Sequence, residues 1–528
     1  MNSMLLPFRL GILLLASTAF TRADVRLHGL FTDQMVLQRN ASVPVWGWAD
    51  DGERVTVQFR DQTVTTIAAG GKWMVRLKKL AAGGPEDLKV SGKNSVTLHN
   101  VLVGEVWVAS GQSNMEMAMR SVFDATNHIA LSANPLIRFY TVTKLKADQP
   151  VENVTNTWQV SGPDVAGGFS AVAYYFAVDL QKALGVPVGI IHTSWGGSPC
   201  EVWVREGVLA ANPGYKSDIL DAYPASQRSL QGAIESWEKE KAEAQAAKTP
   251  FTKRRPGTGW KPSELYNGMI APLLPFAIQG AIWYQGESNA GRAHQYRTLM
   301  ADMISNWRKD WGQGNFTFLQ VQLAPFRDYK PEPAESDWAE LREAQNVVMQ
   351  SLPKVGVAVI TDVGEEKDIH PKKKQPAGAR LALAAQHIAY GQDIVYSGPT
   401  YRGMKVKNDE AILSFNHVGA GLEARALPPR SGGTSTMVFN STTGRLESPL
   451  AGFSICGEDH KFVWAEARIQ GDKIIVSNES VSKPVAVRYG WADFPVVNLW
   501  NRDGIPASPF RTDDFPMITA PKSAQAKK

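Results

Sequence analysis

The segment VWVASGQSNMEMAM, residues 106–119, sets one serine, Ser113, where an apolar strand-like run gives way to helix-capable text. A serine lifted out of a sheet at such a turn presents its hydroxyl, and the backbone N–H groups that follow point at any negative charge developing beside it. That is a seat for a nucleophile. The same position also suits a plain helix cap, and the segment does not follow the G-x-S-x-G elbow pattern.

A serine hydroxyl is a weak nucleophile near neutral pH and needs a base. Of the chain's nine histidines, His370 stands out, in ITDVGEEKDIHPKKKQPAGARLALAAQ. It follows a strand end and an acidic loop and precedes Pro371, which reads as the first-turn proline of a helix. Asp362, Glu365, Glu366 and Asp368 lie on its amino side, and any of them could accept the second ring N–H and hold the proton-accepting tautomer. The alternative is that His370 caps its helix and the acids are solvated.

Acyl transfer also needs donors for an oxyanion. Two strand ends offer them: IIHTSWGGSP, with Gly196 and Gly197, and AIWYQGESNA, with the side-chain amides of Gln285 and Asn289. Each is weak singly, but four successive strand ends carry clusters suited to complementary roles, as an active site on a carboxyl edge requires.

The elements that must hold these residues fall into three stretches. From Asp24 to about Asn100, short alternating runs separated by turn residues predict a small β-sandwich-like domain over 24–100. From 101 to 391, apolar runs such as GEVWVAS, VPVGIIHTS, QGAIWYQ, FTFLQVQLA and KVGVAVITD alternate with helical text, which predicts an α/β domain with a parallel sheet covered by helices. Residues 212–264 break that rhythm and read as a helical insertion, either a solvated excursion or a lid. Residues 392–516 return to β text, and 517–528 read as a disordered tail.

At 528 residues the chain should form two or three domains, and 44% hydrophobic with 20% charged residues is ordinary for a folded protein. Two units of the formal net charge of +5 are Arg9 and Arg22, so no nucleic-acid partner is implied. The dense basic runs, Lys253–Arg255 and Lys372–Lys374, read as solvated faces. Residues 1–23 show a secretory pattern: Arg9, an apolar run from Leu10 to Phe20, then a small-residue cleavage site before Asp24. No later run reaches membrane-spanning length, which predicts an exported chain, periplasmic or extracellular, without membrane insertion. Cys200 and Cys456 could pair in that compartment or remain two buried thiols.

Taken together, SGQSNM, SWGGSPCEVW, WYQGESNAGRAHQYR and DIHPKKKQPAGARLAL resemble the blocks of the SGNH hydrolase superfamily, in the version carried by the sialate O-acetylesterase family. The resemblance runs nearly from Asp24 to Pro516. It implies a central doubly wound parallel sheet of flavodoxin-like, three-layer form flanked by all-β domains, and a serine esterase that removes acetyl groups from carbohydrates. Ser113 would be the nucleophile, His370 the base and Asp368 its orienting acid. The N–H groups of Ser113 and Gly197, with the Gln285 amide, would hold the oxyanion. Gln112, Trp195, Glu287 and Asn289 would surround the substrate, with no metal or cofactor called for. Two departures stand out: Lys367, not an acid, lies three residues before His370, and the third block reads Gly286-Glu287-Ser288-Asn289 where the superfamily has G-x-N-D. Asp362 and Glu366 therefore stay open as the acid, as does a Ser-His dyad. The resemblance implies an acetylated sialic acid as substrate, with acetylated xylan second, and the competing class is a non-catalytic glycan-binding protein. The sixteen tryptophans supply aromatic faces suited to sugars; Trp195, Trp203, Trp283 and Tyr284 flank the blocks, and most such rings are core filler.

Overall fold

In the computed structural model, which describes residues 24–257, 259–427, 438–440, 445–447 and 449–521, successive side chains of one long strand face opposite ways. This strand, β1 (Ser95–Gly111), sends Val106 and Val108 into one buried cluster and Trp107 and Ala109 into another. Period two along its second half, buried from Val101 to Gly111, means burial on both faces, so this half of β1 must lie between two packed faces.

It does. The strands β2 (Asn134–Thr141), β3 (Gln159–Ser161), β4 (Val188–Ser194), β5 (Gly280–Tyr284), β6 (Thr317–Val321) and β7 (Val355–Ala358) join β1 in the order β3-β2-β4-β1-β5-β6-β7. All neighbours are parallel except the edge pair β3 and β2. Counting only β1, β4, β5, β6 and β7, the order is second, first, third, fourth, fifth; β2 and β3 extend the sheet beyond β4. In an open parallel sheet of this order, the crevice for a ligand opens at the carboxyl ends where the winding reverses, here between β1 and β5.

Six helices matter to the site: α1 (Ser113–Glu116), α2 (Ala171–Leu184), α3 (Tyr223–Ala246), α4 (Ala293–Trp311), α5 (Asp337–Ser351) and α6 (Gln375–Ile388). Val172 and Phe176 of α2 and Leu381 of α6 pack on the face bearing Trp107, Ile190 and Ile282. On the other face, Met300 and Trp307 of α4 and Leu341 of α5 meet Val106, Trp283 and Phe318. Ser170 and Ser336 cap α2 and α5, each accepting the backbone N–H three residues on.

The change of pattern expected at Val101 falls inside β1. Its first half pairs with the strand Gly83–Ser91 of the N-terminal sheet, and its second half, from Glu105, pairs with β4. The N-terminal strands and the α4–α5 face share one continuous hydrophobic cluster. Beyond α6 the chain is built of strands around a separate cluster that includes Leu413, Phe453, Ile474 and Tyr489.

Several expectations need correction. The NMEMAM text forms only α1, because the chain turns out after Glu116 so that Ala118 bridges Ser170 and Ala171 N–H donates to the Met117 carbonyl. The last helix starts at Gln375, with Pro376 rather than Pro371 in its first turn. Lys372 and Lys373 are exposed, but Lys374 is 2% exposed and is no part of a solvated face. The expected disordered tail begins too early: Met517 is buried, and the N–H groups of Ile518 and Thr519 donate to Glu340 at 2.6 and 3.1 Å. The segment expected to be a leader, residues 1–23, and the last residues, 522–528, lie outside the described residues. Helix α3 of the insertion has no buried side chain, and Cys200 and Cys456 are both buried free thiols.

Candidate active site

β1 ends on Gly111, and Ser113 follows as the first residue of α1. Gly111 must be glycine: its φ is +133°, and a Cβ there would lie 2.2 Å from the Tyr284 carbonyl oxygen of β5. The Ser113 hydroxyl caps nothing; Gln112 holds the capping position. Instead, Ser113 Oγ lies 2.7 Å from His370 Nε2, a contact between residues 257 positions apart. The serine and the histidine expected from sequence therefore meet at hydrogen-bond distance.

Of the four acids, the structure brings one to the imidazole. Asp368 Oδ1 accepts the His370 backbone N–H at 2.9 Å and lies 3.8 Å from Nδ1, ion-pair range rather than a hydrogen bond. Asp362 is held by two bonds from Arg380, at 2.6 and 2.9 Å, Glu366 accepts the Tyr329 N–H, and Glu365 accepts the Lys372 N–H. Burial, followed by the positive charge of Lys374, holds the His370 imidazole below its ordinary value of 6.5, against a smaller upward pull from Asp368. The neutral, proton-accepting ring is thus favoured near pH 7.

The turn after β4 closes over the serine. A Cβ on Gly196 would sit 3.2 Å from Ser113 Cβ, a tight contact that glycine avoids. Gly196 N–H donates to Glu116 Oε2 at 2.6 Å, which fastens this turn to α1. Gly197 follows with φ +78°. No acceptor among the described residues takes the Ser113 or Gly197 N–H.

The third block behaves differently from expectation. Gln285 is fully buried, and its amide nitrogen donates to the Ser198 carbonyl at 3.3 Å and to Asn289 Oδ1 at 2.7 Å, so both its hydrogens are engaged. Asn289, also buried, accepts from Cys200 N–H and donates to Glu201. Gln112 Oε1 accepts the Gly286 and Ser288 N–H groups at 3.3 and 3.4 Å. Glu287 points inward as well: Oε1 accepts from Asn114 at 2.6 Å, and Oε2 is buried. The amides of Gln285 and Asn289, Gln112 Oε1 and Glu287 Oε1 are thus spent bracing the turn after β5. An amide beside the nucleophile looks the same in sequence whether it faces a substrate or its own backbone.

Trp203, Trp283 and Tyr284 are fully buried core rings. Of the four rings that flank the blocks, Trp195 alone is partly exposed. It meets Trp260 edge-on at 5.6 Å and carries Lys144 and Lys146 over its ring, at 5.3 and 5.9 Å. Trp260, from the return of the insertion, was not singled out from sequence, although it is an aromatic in a loop next to glycine.

The site defines a class: a serine-histidine pair at the carboxyl edge of a parallel sheet, of the kind that cleaves esters. Known proteins agree. A family model described as "Carbohydrate esterase, sialic acid-specific acetylesterase" matches residues 103–387. A crystal structure of a carbohydrate acetylesterase from Xanthomonas citri superposes with a TM-score of 0.77 at 37% identity, covering 93% of this chain and 100% of that one. The sialate O-acetylesterase of Homo sapiens is 27% identical over 518 residues, 89% of this chain and 88% of its own. That of Mus musculus is 26% identical over 534 residues, with 92% and 93% covered. The protein is a carboxylic ester hydrolase. It belongs to the sialic acid-specific acetylesterase family of carbohydrate esterases.

Proposed function

We propose that this chain is an exported carbohydrate acetylesterase that removes O-acetyl groups from sialic acids through an acetyl-enzyme on Ser113. The 2.7 Å contact between Ser113 Oγ and His370 Nε2 carries the reading. His370 takes the serine proton as Oγ attacks the acetyl carbonyl carbon, and the N–H groups of Ser113 and Gly197 receive the oxyanion. The imidazolium then protonates the leaving sugar oxygen. Water enters, gives its proton to His370 and attacks the acetyl carbon, and acetate leaves with Ser113 restored. Asp368 faces the positive charge on His370 from 3.8 Å and fixes the backbone of the loop, so it acts through charge and position. The strand order and the placement of the serine, glycine and histidine turns support an SGNH-type central domain, with 24–100 and 392–516 as its β flanks. The Arg9, Leu10–Phe20 and Ala23 pattern supports export, and among the described residues no helix is long and apolar enough to cross a membrane.

The mammalian relatives favour sialate. The Xanthomonas citri protein, closer in identity, is named only for carbohydrate and favours no particular sugar, and acetylated xylan is the second reading. Acetate release from O-acetylated sialoglycan and from acetylated xylan, measured side by side, separates these readings. The expected result is a higher kcat/KM on sialoglycan. Preference for xylan overturns the sialate assignment, and release from neither overturns both sugar assignments.

A second expectation concerns pH. Because the folded protein lowers the His370 pKa, the base is already neutral below 6.5, and the acid limb of kcat/KM has its midpoint below that value. A midpoint above 7 would contradict the environment described for His370.

A further inference from the structure

Behind the serine and histidine lies a buried cluster that the reaction above does not use. Asn114, the residue after Ser113, has both hydrogens and the oxygen of its side-chain amide committed. Its amide nitrogen donates to Glu287 Oε1 at 2.6 Å and to the carbonyl of Ile369, the residue before His370, at 3.0 Å. Its Oδ1 accepts from Lys374 Nζ. Asn114 is 1% exposed and Lys374 2% exposed, and the ammonium also lies 5.1 Å from the Tyr284 ring centre. Glu287 Oε2 is buried without a partner.

We propose that Asn114 is a positioning residue that ties the nucleophile turn to the histidine loop, with Lys374 and Glu287 as its buried anchors. This rests on the Ser113–His370 reading. A side chain beside Ser113 that bonds the backbone beside His370 leaves the two reacting groups little freedom to separate, and productive geometry is sensitive to shifts of about 1 Å. Two charges out of water are costly unless paired and hydrogen-bonded. Here one amide serves both, accepting from the cation and donating to the anion.

The anchors also act on chemistry. Burial pushes the Lys374 ammonium down to about 7, while Glu287, Asp368 and Glu365 pull it up, and burial raises the Glu287 carboxyl. Below neutrality Lys374 is charged and opposes protonation of His370, against the weaker pull of Asp368. Removing that charge must raise the pH at which His370 becomes a base.

The test uses the full chain with p-nitrophenyl acetate as a small ester, and compares wild type with Asn114→Ala, Lys374→Met, the charge-neutral pair Lys374→Met with Glu287→Gln, and Ser113→Ala. Asn114→Ala is expected to lower kcat on the order of a hundredfold with KM within about twofold. Lys374→Met is expected to move the acid limb of kcat/KM to higher pH, which a merely structural role would not do. The paired variant, which leaves no lone buried charge, should show the same direction and covers the case in which Lys374→Met fails to fold. An unmoved limb in the folded variants, or an Asn114→Ala change confined to KM, overturns the proposal while an inactive Ser113→Ala leaves the esterase reading intact. An active Ser113→Ala overturns both.

Discussion

Ser113→Ala is expected to lower kcat on acetylated sugar by about four orders of magnitude while the protein folds as before. The size follows from the role. Without Oγ there is no acetyl-enzyme, and His370 has only a stray water to activate, so what remains is binding and the N–H groups aimed at the oxyanion. The unchanged fold follows from the local structure. The Ser113 hydroxyl caps no helix and bonds to His370 alone, so its removal leaves no backbone donor orphaned. The Cβ that Gly196 packs against is retained in alanine. Steady-state rates, a thermal midpoint and mass detection of an acylated serine after a serine-directed reagent give the full reading. Loss of less than tenfold, or labelling that persists in the variant, would remove Ser113 from the chemistry.

The largest expected effect on stability lies elsewhere, at Arg342 of α5. Its guanidinium is fully buried and donates to four carbonyls: Leu323 at 2.8 Å, Ala324 at 3.2 Å, Ala492 at 2.7 Å and Asp493 at 3.0 Å. Two belong to the chain after β6 and two to the C-terminal β region, so one side chain fastens that region to the α/β core. Burial pushes the guanidinium down to about 9, with Asp493 opposing, and the residue remains charged near neutrality. Arg342→Met keeps most of the volume and leaves the carbonyls without their donor. A loss of about 3 to 5 kcal/mol is expected, read as a lower denaturant midpoint. A loss under about 1 kcal/mol would mean that water replaces the guanidinium at these carbonyls.

How much of this was legible beforehand depends on whether a residue's task is written in its own neighbourhood. The apolar runs of β1, β4, β5, β6 and β7 announce themselves because burial on both faces needs no partner to be read. Ser113 and His370 were legible for a similar reason: each sits where strand text stops, and their types are chemically complementary. Lys374 was not. It ends a run of three lysines, and only α6 starting at Gln375 instead of Pro371 turns it inward, which depends on Asn114 and Glu287 from distant parts of the chain. Gln285 and Asn289 failed from the opposite side. Their amides have the right type at the right strand end, yet they are spent on Ser198, Cys200 and Glu201. Sequence shows which groups can donate, and only the assembled turn shows which are still free to.

β1 has a consequence of its own. It begins among the N-terminal strands, bends at Asn100, whose φ is +57° and where its register to Gly83–Ser91 shifts, and ends two residues short of Ser113. One strand is shared by the two sheets, so the N-terminal strands are not an accessory carried beside the enzyme. They are the near end of the beam whose far end holds the serine. An exchange of this segment for that of a relative must preserve the bend at Asn100 and the register beyond it, not merely the identity of its last residues.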